Sequence, residues 1–187
     1  MKRNNEIIAV IEQEKIPILP FELEIAQKAL AGHVRRQDDL GRQLGEAMNQ
    51  SSETWHDNAP AEAIANSSKI LAKVAGDTLR ILNENVVFSY EALEEDGVTL
   101  GSLVSVLYDG DEDECHIYIT GTTRTLTDEI RNSFNEIEDL SVATVVSPIG
   151  QALLGAHVGE RVSFHAPSGV SIGVHVNAIS QMLVENN

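Results

Sequence analysis

Apolar residues recur at alternating spacings of three and four along two stretches of the first half of the chain, and this period is typical of helices with one apolar seam. The seam positions are Leu23, Ala26, Leu30, His33, Gln37, Leu40, Leu44 and Ala47 in the first stretch, and Ile64, Ser67, Leu71, Val74, Thr78 and Ile81 in the second. A short connection joins the stretches, so residues 18–85 are predicted to form an antiparallel coiled-coil hairpin with its tip near residues 51–60. Each arm would be about 40 Å long.

The seam contains several small or polar residues, which predict that it is weak in places. Among them, His33 is interpreted as a packing residue rather than as a ligand.

The residues on either side of the hairpin are patterned differently. Residues 1–17 carry a short amphipathic helix pattern from Asn5 to Glu14, which should end near Pro17 and Pro20 because proline interrupts helices. We interpret this segment as an N-terminal extension. Residues 86–97 are acidic and are predicted to be a linker, with a single short strand as the alternative.

From residue 98 onward the apolar period becomes that of strands. Strands are predicted at Leu103 to Leu107, Cys115 to Thr120, Val142 to Val146, Glu160 to Ala166 and Val170 to Ile179. Pro148 suits the first position of a helix and Gly155 suits the position after its last turn, so a two-turn helix is predicted between them. The predicted fold class is α+β: an N-terminal antiparallel coiled-coil hairpin, then a mostly antiparallel β domain with one short helix over residues 98–187.

The chain is acidic, with 13 Lys and Arg residues against 29 Asp and Glu residues and a formal net charge of −16. Free duplex DNA or RNA is not an expected partner, because phosphate binding needs clustered cations. The single cysteine, Cys115, cannot form an internal disulfide and provides no zinc pattern. Neither a signal peptide nor a membrane span is predicted, and we expect a cytoplasmic monomer.

Arginine residues are concentrated on the first arm of the predicted hairpin, at Arg35, Arg36 and Arg42. Two interpretations stay open. The arginines form either a solvated face balanced by nearby acids or a basic stripe used in binding.

Acidic residues alternate in the predicted turn between the first two strands, at Asp109, Asp111 and Asp113. This spacing is found in calcium-binding loops. However, Glu114 stands where an EF-hand needs glycine, and Thr120 stands where it needs the closing glutamate. A calcium site is therefore not predicted here.

The predicted tip contains the chain's one tryptophan, Trp55, next to His56. Two carboxylates, Glu53 and Asp57, lie in the same turn, and Asn58 follows them. An aromatic ring and charges at the end of a long arm indicate a site that contacts a partner. The simpler alternative is a solvated turn with Trp55 folded back on the helices.

The β domain carries the run Ser147-Pro148-Ile149-Gly150-Gln151-Ala152-Leu153-Leu154-Gly155, followed by Val158-Gly159-Glu160 and Pro167-Ser168-Gly169. These motifs, behind a helical hairpin, resemble the Gre transcript-cleavage factors, bacterial elongation factors that act on RNA polymerase. The resemblance implies that the C-terminal domain is FKBP-like. Prolyl isomerase activity is not expected, because the domain has few aromatic side chains to line a pocket.

The resemblance implies separate roles for the two parts of the chain. The β domain would dock on bacterial RNA polymerase beside its secondary channel through Ser147, Pro148 and Ile149, while the hairpin would enter the channel. The tip carboxylates Asp57 and Glu53 would then help to hold a Mg²⁺ ion of the polymerase active centre and activate the water that cleaves backtracked RNA. Further tip contacts, including contact with the RNA 3′ end, would involve Trp55, His56 and Asn58. The protein would be an accessory factor with no cofactor and no turnover of its own.

The tip departs from the family pattern. Aligned on Asn58 and Ala59, the second acid is Asp57, but Thr54 occupies the position of the first acid and Glu53 lies one place upstream. A shift of one residue on a turn can direct a carboxylate away from a metal ion. The alternative function is therefore a secondary-channel regulator that does not stimulate cleavage and inhibits or modulates the polymerase. A plain coiled-coil scaffold is a further alternative.

Overall fold

The computed structural model describes residues 2–50, 59–89, 97–122, 124–134, 137 and 139–181. In chain order its elements are helix α1 (Lys2–Glu12), strand β1 (Ile16–Ile18), helices α2 (Pro20–Gln50) and α3 (Ala59–Asn83), strands β2 (Asn85–Val87), β3 (Ser102–Tyr108) and β4 (Cys115–Thr120), a 3-10 helix (Arg124–Leu126), helix α4 (Thr127–Asn132), strand β5 (Leu140–Thr144), helix α5 (Pro148–Leu153), and strands β6 (Arg161–His165) and β7 (Ser171–Gln181). They form two compact units, Ala26–Asn83 and Met1–Ile25 with Glu84–Asn187. The α+β class, with a helical hairpin region and a sheet domain, is confirmed.

The long helices show the predicted seam with one exception. Every seam position predicted on α2 is buried or half-buried, so the heptad prediction for this helix is confirmed. On α3 the prediction of Ser67 is wrong: Ser67 is exposed, and its hydroxyl donates to the carbonyl of Ala63. The neighbouring Ser68 lies in the seam, where it accepts a hydrogen bond from Gln37. Two adjacent serines give no apolar signal, so the period alone could not choose between them.

The second unit is built on a five-stranded sheet with the order β5-β4-β3-β7-β6. Neighbouring strands are antiparallel except for β4 and β5, which are parallel. A parallel pair needs a crossover connection, and the 3-10 helix and α4 lie in that connection. The prediction of a mostly antiparallel sheet is confirmed, but the prediction of one short helix misses α4, because residues 126–140 have little apolar periodicity.

Alternate residues of the three central strands supply the core of the sheet unit. The almost completely buried side chains are Val104 and Val106 of β3, Ile117 and Ile119 of β4, and Val174 and Val176 of β7. Helix α5 contacts β5 and β6, and its Leu153 is also fully buried. The chain therefore leaves β5 at the edge of the sheet and turns directly into a helix that is packed on the core.

The segments before α2 and after α3 belong to this sheet unit. Strand β1 pairs in parallel with β2, with Ile18 opposite Val87. In α1, Ile7 is fully buried, and the side-chain amide of Asn4 donates to the carbonyl of Val98 at 3.1 Å. Residues interpreted from the sequence as an extension thus supply core contacts, and the chain forms a strand soon after α3.

The close contact between Gly121 and Pro17 generates a stability prediction. A methyl group on Gly121 would overlap the Pro17 backbone, lying 2.7 Å from its carbonyl carbon. We expect Gly121→Ala to lower the free energy of unfolding by about 1–3 kcal/mol, as overpacking usually does.

Gly76 in α3 is a matched control, because nothing lies within 4 Å of the added methyl. Gly76→Ala should raise the free energy of unfolding by about 1 kcal/mol through helix propensity. Urea denaturation followed by circular dichroism measures both, and effects of the same sign would contradict this packing.

Candidate functional site

The turn that follows β5 is held by a network of short-range hydrogen bonds. The hydroxyl of Ser147 donates to the carbonyl of Thr144 at 2.7 Å and accepts from the backbone N–H of Gly150 at 3.1 Å, so Ser147 caps α5. Pro148 is the first residue of this helix, where its missing N–H costs nothing. The backbone conformation of the turn is therefore well determined by its own sequence.

Exposure identifies which of these residues a partner could contact. Pro148 is exposed, and Ser147 and Ile149 are half-buried. Val146, the last residue of the strand predicted from Val142, is 53% exposed. We refer to Val146, Ser147, Pro148 and Ile149 as the docking turn, after the role that the sequence predicts for the last three. It presents apolar surface on a backbone that is held by the hydrogen bonds of Ser147.

Two residues of this site were missed from the sequence. Val146 was included in the predicted strand, but β5 ends at Thr144, and a valine at a strand end gives no signal of exposure. Gly150 is buried against the backbone of Thr144, and a methyl there would come within 2.8 Å of the Thr144 carbonyl carbon. A glycine in the first turn of a short helix was the available signal, since glycine is otherwise unfavourable there.

A buried carboxyl group lies in the first turn of α2. Glu22 is fully buried and accepts hydrogen bonds from the backbone N–H of Leu19 at 2.8 Å and the hydroxyl of Tyr118 at 3.2 Å, and it also bonds with Thr120. Burial raises the pKa of Glu22 to about 7, and the three hydrogen bonds act in the opposite direction. Sequence reasoning assigned no role to Glu22. The available signal was its position at the third residue of a helix, from which glutamate reaches back to the N-cap N–H.

Aromatic rings enclose this part of the sheet unit. Phe21 lies 6.1 Å from Tyr118 and 5.9 Å from Phe134 between ring centroids, and Tyr118 and Phe134 are 5.0 Å apart. All three side chains are buried. Tyr118 and Phe134 are therefore core residues.

The acidic turn between β3 and β4 is tied to the sheet. Asp109 accepts hydrogen bonds from Arg161, one of them at 3.2 Å, and lies 3.4 Å from His175. The hydrogen bonds from Arg161 hold the pKa of Asp109 below its usual range. At the other end of the turn, Glu114 is bonded to Ser105 and Asn177. Within the described ranges no three metal-ligating side chains are grouped to hold an ion.

The structure describes the predicted arginines of the first arm but not the predicted tip residues. Arg35, Arg36 and Arg42 are exposed on α2. Arg42 pairs with Asp39 at 2.7 Å, and both side chains are more than half exposed, so this pair contributes little stability. The predicted tip residues Glu53, Trp55, His56, Asp57 and Asn58 lie outside the described residues.

Comparison with known proteins identifies the sheet domain. Residues 93–181 match the family model described as the C-terminal domain of the GreA/GreB transcription elongation factors. The sheet domain is thus similar to the C-terminal domain of the GreA/GreB family, and the resemblance found in the sequence is confirmed for this part of the chain. No helix within the part of the chain that the structure describes is long and apolar enough to cross a membrane.

Individual relatives match slightly less than half of the chain. The chain is 35% identical over 85 residues to transcription elongation factor GreA of Mycolicibacterium vanbaalenii, covering 45% of this chain and 47% of that one. It is 38% identical over 85 residues to GreA of Mycobacteroides abscessus, with the same shares. The chain thus spans about half the length of the curated relatives it matches.

The solved structures that match the chain have low sequence identity and low TM-scores. They include GreA factor homolog 1 (Gfh1) of Thermus thermophilus, at 19% identity and a TM-score of 0.40 over 89% of this chain and 99% of that one. A GreA/GreB factor from Nitrosomonas europaea matches at 15% identity and a TM-score of 0.35, with the same shares.

The raised pKa of Glu22 predicts how stability depends on pH. Since the pKa is about 7 in the folded protein against an ordinary value of 4.5, the folded state holds a proton that the unfolded state releases. The stability from this proton is fully present below pH 4.5 and is lost as the pH rises through about 7, by about 3 kcal/mol in total.

We expect Glu22→Gln to remove this dependence. Glu24→Gln, at an exposed position of the same helix, should keep it. Urea denaturation from pH 4 to 8 tests this, and parallel pH profiles for the parent and Glu22→Gln would refute it.

Proposed function

We propose that the protein is a transcription elongation factor that binds bacterial RNA polymerase at its secondary channel and stimulates cleavage of backtracked transcripts. The observation that carries the proposal is the family match over residues 93–181, together with the exposed docking turn within that region. The sheet domain would bind the outside of the polymerase, and the hairpin of α2 and α3 would extend into the channel. The protein would act on the active site of another enzyme and would have no turnover itself.

The docking turn suits a protein contact for two physical reasons. Its exposed apolar atoms, on Val146, Pro148 and the accessible part of Ile149, would gain from leaving water at an interface. Its backbone is already fixed by the cap of Ser147, so binding would cost little conformational entropy.

The proposed chemistry at the tip depends on carboxylates. Mg²⁺ prefers oxygen ligands, and Asp57 and Glu53 supply them in the segment that joins the two arms. In a two-metal site the ions lower the pKa of a bound water and stabilise the transition state of phosphoryl transfer. The role proposed for Asp57 is to help hold Mg²⁺ of the polymerase, with Glu53 as its partner. Trp55, His56 and Asn58 would contact the channel or the RNA 3′ end.

The sequence of the tip supports one alternative within the same binding mode. Thr54 occupies the position at which the family has its first acid, and Glu53 is displaced by one residue. A factor with one well-placed carboxylate would occupy the channel without assisting hydrolysis, and would slow or modulate elongation.

A transcript-cleavage assay separates the two functions. Purified protein is added to bacterial RNA polymerase halted in a backtracked complex with a labelled transcript, and shortening of the RNA is followed over time. We expect faster cleavage and recovery of elongation. Slower elongation without faster cleavage supports the regulator, and no effect on either process rejects both.

The docking turn predicts a specific loss of binding. The double variant Pro148→Glu with Ile149→Glu should weaken binding to purified polymerase by about tenfold or more, because two charges would be desolvated at the contact. The fold should persist, since an acidic side chain is favourable in the first turn of a helix. Val170→Glu is the control, because Val170 is also exposed but lies in another turn. Unchanged affinity in a folded double variant would exclude this turn as the contact.

The effector role of Asp57 predicts a separation of binding from activity. Asp57→Asn deletes one charge and keeps the shape, so affinity for the polymerase should change little while the effect on the active centre falls by about tenfold or more. Asp38→Asn, at an exposed position on α2, controls for the lost charge. Affinity titration and the cleavage assay measure the two quantities. Parental activity in Asp57→Asn would show that another residue is the effector.

A further inference from the structure

The two edges of the five-stranded sheet differ in how they are covered. At one edge, α4 contacts β5, and the Nε atom of Arg131 donates to the carbonyl of Leu140 at 3.1 Å. At the other edge, no strand among the described residues pairs with the free side of β6. An unpaired edge presents backbone donors and acceptors to solvent, and it can therefore pair with another strand.

The pairing of β6 with β7 shows which backbone groups of β6 point outward. The carbonyl of Glu160 accepts from the N–H of Val176, and the N–H of Ala166 donates to the carbonyl of Val170, so both ends of β6 are bonded on the β7 side. In an antiparallel ladder, alternate residues direct their backbone groups to the same side. The backbone groups that point away from β7 are therefore those at the odd-numbered positions, Arg161, Ser163 and His165.

Strand β6 lacks the features that usually prevent pairing between sheet edges, such as lysine, proline and bulges. Its sequence contains neither lysine nor proline, and it pairs with β7 in an unbroken register. Its arginine, Arg161, donates hydrogen bonds to Asp109 of the same chain. This edge is thus open to a second strand.

The same strand carries apolar surface that the fold covers only in part. Val162 and Phe164 lie on the same face of the sheet as the fully buried Val174. Helix α5 contacts β6, but both side chains are only half-buried. The segments just before and just after β6 each add an exposed valine, Val158 and Val170.

We propose that β6 pairs with β6 of a second copy of this chain, antiparallel and about a two-fold axis at Ser163, so that the two five-stranded sheets join into one. In this register the three outward-directed residues of each copy lie opposite those of the other, and all of their backbone groups are paired. Val162 lies opposite Phe164 of the partner subunit, and pairs of β-branched and aromatic residues stabilise sheets. This dimer replaces the monomer expected from the sequence.

The occupant of the edge is a second copy because the strand is complementary to itself. A shift of one residue would place the apolar side chains of the two copies on opposite faces of the joined sheet. Antiparallel pairing also brings Val158 to the same end of the contact as Val170 of the partner subunit. The docking turn follows β5, at the far edge of each sheet, and is left outside the contact.

The net charge opposes this association and predicts how the dimer responds to salt. Each copy has a formal net charge of −16, so two copies repel each other. Added salt screens this repulsion, while the backbone hydrogen bonds and the apolar contact remain. The dimer should therefore become more stable as NaCl is added.

Sedimentation velocity of the full chain, from about 1 to about 500 μM, measures the association. We expect the fraction of dimer in the parent to rise with protein concentration and with salt. Ser163→Lys and Ser163→Glu should each weaken dimerisation by about tenfold or more, because the residue on the two-fold axis then faces a like charge. Ser141→Lys, at an exposed position of the other edge strand, is the matched control and should dimerise as the parent does.

A mixture of the two charged variants tests the position of the axis. Equal amounts of Ser163→Lys and Ser163→Glu should recover the dimer, because unlike charges then lie opposite each other. Circular dichroism checks that each variant is folded. If a charged variant does not fold, Ser163→Pro removes the outward N–H without breaking a bond to β7, and it should also prevent dimerisation.

Four results would overturn the proposal. The first two concern the parent, which would stay monomeric over the whole range or would dissociate as salt is added. The third is a dimer that Ser163→Lys leaves intact, which would place the contact elsewhere. The fourth is a failure of the folded Ser163→Lys and Ser163→Glu variants to associate when they are mixed.

Discussion

The buried carboxyl group of Glu22 holds the start of α2 against the sheet. It joins the N-cap of α2, at Leu19, to Tyr118 and Thr120 of β4. A carboxyl group removed from water is tolerated only where donors surround it or where it is protonated, and both conditions apply here. Phe21, the neighbour of Glu22, packs against the same tyrosine. The first turn of the longest helix is thus bound to the sheet by one desolvated hydrogen-bond network, with β1 and α1 packed in the same unit.

The docking turn shows how a short sequence produces an exposed but rigid surface. The hydroxyl of Ser147 donates to the carbonyl of Thr144, at the end of β5, and accepts from the N–H of Gly150, in α5. Pro148 suits the first helical position. Gly150 allows the helix to start directly against the Thr144 backbone. Val146 and Pro148 are then left in solvent, where an isolated domain gains nothing from apolar side chains. The interface with RNA polymerase proposed above would remove these side chains from water.

The sequence was informative where a periodic pattern corresponds to one physical cause. The seam of α2, strand β4 and the α5 helix were all predicted, because heptads, alternation and a Pro–Gly frame each have one structural solution. It was uninformative where contacts between residues distant in the sequence determine which side chains are buried. Ser67 and Ser68 are the same residue type, and only packing against α2 decides that Ser68 lies in the seam. The burial of Glu22 likewise depends on residues about a hundred positions away in the sequence. Within the candidate site, the cap and the proline could be predicted, whereas the exposure of Val146 could not.

Binding at the secondary channel can be tested by electron cryomicroscopy of the protein bound to a backtracked complex of bacterial RNA polymerase. If the protein binds as proposed, the docking turn will contact the outer rim of the secondary channel, and residues 51–58 will lie inside the channel beside the active-site Mg²⁺. This binding mode would be contradicted by a complex in which the hairpin of α2 and α3 lies outside the channel, or in which Val146 and Pro148 remain in solvent.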